Sequence, residues 1–163
     1  MNTKSSQIQI RVSDAEKASI KKQASAAGMD MSAWIMTQLF PPSQKRFLAL
    51  INNLKTTNDK KLVLAKLNDL LHKLGKNELA CATKTAAKDS LGSYLDNYIA
   101  AMVEQALVQK GLPIPNWLSD IPILKEPVFG SDLLSLRLYL LSHSPPAFRK
   151  RNIFIDSSIG NRI

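Results

Sequence analysis

Three side chains near the N-terminus, Gln7, Gln9 and Arg11, alternate with Ile8, Ile10 and Val12. An extended chain repeats every two residues, so the two amides and the guanidinium share one face and the aliphatic side chains share the other. That is the pattern of a half-buried strand with an outward face of planar hydrogen-bonding groups. On an isolated strand such a face is simply solvated.

The remaining residues able to do chemistry lack companions. Cys81 is the single cysteine, in an Ala-rich stretch with no Cys or His beside it, so disulfide, zinc and thiol-nucleophile chemistry each lack a second member. His72 has no partner at ligand spacing, and Glu104, set among apolar residues, calls for a basic side chain to pair with. Arg137 and His143 fit the loose Arg-x(4-6)-His pattern of HEPN ribonucleases. Six residues turn a helix through about 240°, however, which points the two side chains apart. The cluster Phe148-Arg149-Lys150-Arg151-Asn152 either meets nucleic acid or an acidic partner, or caps the last element of the fold. No catalytic residue, metal site or cofactor is expected, and the chain reads as a binding protein rather than an enzyme.

The strand is followed by two marked helices. Ser13 and Glu16 have the spacing of a capping box, in which the hydroxyl accepts from the third helical amide and the carboxylate reaches back. The first helix presents a thin apolar stripe of the Lys17 stem, Ile20, Ala24 and Ala27, and Gly28 is suited to end it. Asp30 or Ser32 can cap a second helix through Phe40, with Met31, Ile35 and Leu39 on one face and Trp34 beside them, and Pro41-Pro42 stops it. A lone strand of six residues cannot satisfy its own backbone, and helices of about three turns are marginal alone. A second copy whose strand pairs antiparallel with the first resolves both problems.

Residues 7–40 therefore resemble a ribbon-helix-helix domain of the MetJ and Arc repressor type, a family that reads the major groove with a two-stranded ribbon. The resemblance implies an intertwined homodimer, one strand and two helices per chain, on double-stranded operator DNA. It makes Gln7, Gln9 and Arg11 the base-reading positions, and their chemistry suits that role, since Gln pairs with adenine and Arg with guanine. It also implies that the amides of Met31, Ser32 and Ala33 hold a phosphate at the start of the second helix. Asp30 departs from this scheme by setting a carboxylate close to that phosphate.

Beyond the module the pattern is helical. Phe47, Leu50, Ile51 and Leu54 mark one helix from Ser43, and Val63, Leu67, Leu70, Leu71 and Leu74 mark a second from Asp59 that Gly75 closes, giving a helical hairpin. Lys60, Lys61, Lys66 and Lys73 lie off that apolar stripe, on a face that is either solvated or an extension of a DNA footprint. Residues 76–88 read as a connection or weak helix, and any division between domains belongs there. Leu91 to Lys110 is a strong helix closed by Gly111. The four prolines of residues 112–130 predict a packed loop without regular structure. A further helix, LLSLRLYLLSHS, begins near Ser131 or Asp132, and Ile153-Phe154-Ile155-Asp156 is a candidate short strand.

The C-terminal combination of Pro115-x-Trp117, Pro127-x-Phe129 and SPPAFRKRNIFID also resembles bacterial proteins encoded beside nucleotidyltransferase toxins of the abortive-infection type. That resemblance implies a toxin-binding region, with Trp117, Phe129, Phe148, Arg149 and Arg151 as the partner-binding side chains.

The 163 residues allow one large domain or two small ones, and the 45% hydrophobic content is that of a globular protein. A net charge of +9 favours a polyanionic partner. No apolar run is long enough to span a membrane, and the N-terminus lacks the apolar core of a secretion signal, so a cytoplasmic location is expected. The sequence thus predicts a mainly α protein: a ribbon-helix-helix module over residues 1–42, a helical hairpin over 43–75 and a helical partner-binding region over 76–163. The function expected is that of an antitoxin and transcriptional autoregulator. The alternatives are a plasmid mobilisation accessory protein, built on the same module, and an HEPN-like RNase.

Overall fold

The computed structural model describes residues 9–39, 41–85 and 89–156. Among these residues the fold is mainly helical, with eight α-helices, one 3₁₀ turn and a single two-stranded sheet. They form two compact units, Met1–Phe40 and Pro41–Ile163. No helix is long and apolar enough to cross a membrane among the described residues.

The first unit contains α1 (Asp14–Ala26) and α2 (Met31–Leu39). The second contains α3 (Pro42–Thr56), α4 (Lys60–Lys73), α5 (Lys76–Ala82) and α6 (Ser93–Gln109). A 3₁₀ turn at Asn116–Leu118 and strand β1 (Val128–Phe129) follow, then α7 (Leu134–His143), α8 (Pro146–Arg149) and β2 (Ile153–Phe154).

The core of the second unit is made where the apolar stripes of these helices meet. Phe47, Ile51 and Leu54 of α3 pack with Val63, Leu67 and Leu71 of α4, with Leu79 of α5, and with Ile99, Val103 and Leu107 of α6. Leu118, Phe148, Ile153 and Ile155 join the same cluster from the C-terminal segment. Pro42 occupies the first turn of α3, where its missing N–H is no loss. Asp59 caps α4 through Leu62 N–H at 3.0 Å, and the Lys110 ammonium closes the other end by donating to the carbonyls of His72, at 3.0 Å, and Leu74.

Gly75 follows the C-cap Leu74 and so closes α4 as expected. It also begins α5, where Glu78 Oε2 accepts from its N–H at 3.0 Å. Of the two readings of residues 76–88, a connection or a weak helix, the second holds for its first half, and α5 packs against α3 with Leu79 fully buried. The proline-rich stretch is not wholly irregular, because Val128–Phe129 pairs in parallel with Ile153–Phe154. Val128 N–H donates to Asn152 O and Gly130 N–H to Phe154 O, each at 2.8 Å, and Phe129 stacks on Phe154 at 5.0 Å.

A buried ion pair ties the last segment down. Glu104, 5% exposed on α6, meets Lys150 Nζ at 3.1 Å and Arg151 Nη2 at 3.6 Å. Arg151 also donates to Leu118 O at 2.7 Å and to Asn97 Oδ1 at 3.2 Å. Burial pushes its guanidinium below the usual arginine range, and the Glu104 carboxylate opposes that shift.

Candidate nucleic-acid interface

The first unit is built from local signals. Ser13 Oγ accepts from Glu16 N–H at 3.3 Å, and Glu16 Oε2 accepts from Ser13 N–H at 2.8 Å, so the capping box is closed in both directions. The Ser13 N–H, and second the Ser13 hydroxyl donating to Oε2 at 2.8 Å, hold the Glu16 carboxyl below its ordinary value of 4.5. At the other end of α1, Met29 N–H reaches Ala24 O at 3.0 Å and Gly28 N–H reaches Ser25 O at 3.1 Å. This is a Schellman closure, and Gly28 takes the left-handed φ of +66° that it requires. The chain thereby reverses into α2 within four residues, Ala27 to Asp30.

Asp30 is the residue that caps α2, accepting from Ala33 N–H at 2.8 Å. Of the three amides read as a phosphate cradle, Ala33 is thus engaged by a carboxylate, while Met31 and Ser32 lie at the exposed start of the helix. Among the three base-reading positions, Gln7 lies outside the described residues. Gln9 and Arg11 are exposed. Of the expected strand Gln7–Val12, the described part Gln9–Val12 carries no ladder hydrogen bond to any described residue. An antiparallel ladder needs a second strand, and none of the described residues supplies one.

Apolar residues of this unit remain in the open. Ile10 is 62% exposed, Val12 44% and Leu39 55%, and in α1 only Ala24 is buried. Two helices with one buried alanine between them make too little core for independent stability.

The C-terminal candidates divide. Phe148 and Arg151 are each 4% exposed and point into the core, Phe148 edge-on against Tyr98 at 5.3 Å. The half-buried Trp117 donates its indole N–H to Thr83 O at 2.9 Å, which fastens the loop to the end of α5. The Arg137 guanidinium covers half-buried Phe129 at 4.9 Å. Of the five, Arg149 alone is fully on the surface. Arg137 and His143 have separate neighbours, His143 stacking on Tyr139 at 4.1 Å.

Two surfaces were not singled out by sequence reasoning. Helix α7 buries only Leu140, leaving Leu134 72% and Leu138 78% exposed. A groove of about 1110 Å³ also runs along α6, walled by α4 on one side and by the α7–α8 turn on the other. The lysine pattern on α4 was visible beforehand, but its opposite wall comes from residues far along the chain.

No curated protein and no solved structure matches this chain. Residues 2–40, the stretch holding the capped α1, the Schellman turn and α2, match a family model described as NikA-like, Mobilization protein NikA.

Proposed function

We propose that this chain is a DNA-binding accessory protein of plasmid mobilisation, acting as a homodimer and without enzymatic activity of its own. The observation that carries the reading is the match of residues 2–40 to the mobilization family model. It favours mobilisation over the antitoxin reading, because it bears on the DNA-binding module and says nothing of a toxin.

The chemistry of the N-terminal unit supports a paired form. Ile10, Val12 and Leu39 are exposed in the single chain, and a second copy would cover them while supplying the missing ladder. Burying a side chain of this size stabilises by roughly 1.5–3 kcal/mol, so three per chain across a two-fold contact outweigh the weakness of either unit alone. The ribbon then presents Gln7, Gln9 and Arg11 to base edges in the major groove. The Met31 and Ser32 amides lie where the helix start favours a backbone phosphate.

The test is recovery of DNA crosslinked to the tagged full-length protein in its native host, followed by sequencing. A single enriched site beside a relaxase gene is the expected result. Enrichment only at a promoter next to a toxin gene, with the toxin co-purifying, would replace this reading with the antitoxin one. No enrichment anywhere would remove DNA binding itself.

A further inference from the structure

Helix α6 forms the floor of the groove with Tyr94, Tyr98, Gln105 and Gln109, and α4 lines one wall with Lys60, Lys61 and His72. The α7–α8 turn lines the other with His143 and Arg149. None of the lining side chains is a carboxylate among the described residues. The excess of charge also lies in this unit, because residues 1–40 hold only five of the 22 basic side chains and three of the 13 acidic ones.

Two further features suit a ligand with flat rings. Tyr94 is 41% exposed and stands 5.8 Å from Tyr98 in a tilted pair, giving an aromatic surface on the groove floor. Burial raises the pKa of both phenols above their ordinary 10.0, so neither adds negative charge near neutral pH. His72 Nδ1 donates to Asn68 O at 2.9 Å, because a carbonyl oxygen can only accept. Its Nε2 is shielded from solvent and has no hydrogen-bond partner among the described residues.

We propose that this groove binds a short stretch of single-stranded DNA, its phosphates held by Lys60, Lys61 and Arg149 and its bases stacked against Tyr94. A cationic channel combined with aromatic rings is the physical recipe for sequence-tolerant single-strand binding. From Tyr94 to Gln109 the floor runs about 22 Å along the helix, room for a site at the small end of the roughly 4–16 nucleotide range. The choice of DNA over RNA rests on the function proposed above; the groove's charge and aromatic faces do not.

The experiment uses the full-length protein and a fluorescein-labelled 15-nucleotide oligo(dT), read by fluorescence anisotropy. The variants are wild type, Lys61→Ala/Arg149→Ala, Tyr94→Leu and Gln9→Ala/Arg11→Ala. Lys61, Arg149 and Tyr94 are exposed, and circular dichroism checks that each variant keeps its helices. Both groove variants are expected to bind oligo(dT) roughly tenfold more weakly or worse. The double charge variant is also expected to lose about 1.4 from the slope of log K against log salt, at about 0.7 per phosphate contact on a single strand. The Gln9→Ala/Arg11→Ala protein retains oligo(dT) binding while its binding to duplex DNA falls, which separates the two surfaces. Absence of oligo(dT) binding in the wild type, or equal binding in all four proteins, overturns the proposal. Tighter binding of oligo(rU) or of poly-glutamate than of oligo(dT) overturns it too, by giving the groove an RNA or an acidic-peptide occupant.

Discussion

Replacing Arg151 with alanine removes the hub that joins α6, the 3₁₀ turn and the C-terminal segment. The side chain is 5% exposed and its guanidinium makes a 2.7 Å bond to Leu118 O, a 3.2 Å bond to Asn97 Oδ1 and a 3.6 Å ion pair with Glu104. Breaking a buried pair by deleting one partner costs roughly 3–5 kcal/mol, because the other charge stays behind without compensation. Here Lys150 remains 3.1 Å from Glu104, although 63% of its side chain is in water. The lower end of that range, about 3 kcal/mol, is therefore expected. For a unit of this size each kcal/mol moves the midpoint by about 4 °C, so the variant should melt roughly 12 °C lower, measured by circular dichroism with urea unfolding as a check. Lys150→Ala should cost about 1 kcal/mol or less, as exposed pairs do. Glu104→Gln combined with Arg151→Met should recover part of the loss, since no unpaired charge is then buried. A loss under about 1 kcal/mol for Arg151→Ala would refute the assignment of this residue to the core.

Other outcomes follow from the same structure. Leu140→Ala, at a buried position, should destabilise by roughly 2–5 kcal/mol, whereas Leu138→Ala, 78% exposed on the same helix, should stay within about 0.5 kcal/mol; chemical denaturation of both variants checks this. The Glu16 carboxyl has a folded pKa below its ordinary 4.5, so its contribution is present above that pH and is lost as pH falls through the lower folded value. Helicity of α1, followed by NMR, should decline over that acid range in the wild type and lose that pH dependence in Glu16→Gln. Asp30→Asn should keep the cap on Ala33 while removing the negative charge, and duplex DNA should then bind more tightly in an electrophoretic shift. Weaker or equal binding would place the phosphate elsewhere.

What could be read in advance divides by the range of the interaction that decides it. Both ends of α1 were legible because each is set within four residues, by Ser13 with Glu16 and by Gly28, and the structure closes both. The apolar stripes of α3, α4 and α6 were legible for the same reason, each face being fixed by helical spacing. Gly75 was legible as the close of α4, but its second role, opening α5 in extended backbone, was not. Arg149 and Arg151 look alike in the sequence, yet one faces water and the other Glu104, a residue on a helix far earlier in the chain. No periodicity within five residues encodes that choice. The groove was illegible because its walls and floor come from three separated segments. The N-terminal strand is a different case, since its hydrogen bonds require a second molecule.

Selection from a random duplex library, with the full-length protein and its Arg11→Ala variant, tests the account most directly. The wild type should enrich a two-fold symmetric site containing a guanine that Arg11 pairs with, and the variant should lose about 1–3 kcal/mol of preference at that position alone. Two proteins yielding the same enriched sequence, or none, would contradict a DNA-reading ribbon at this N-terminus.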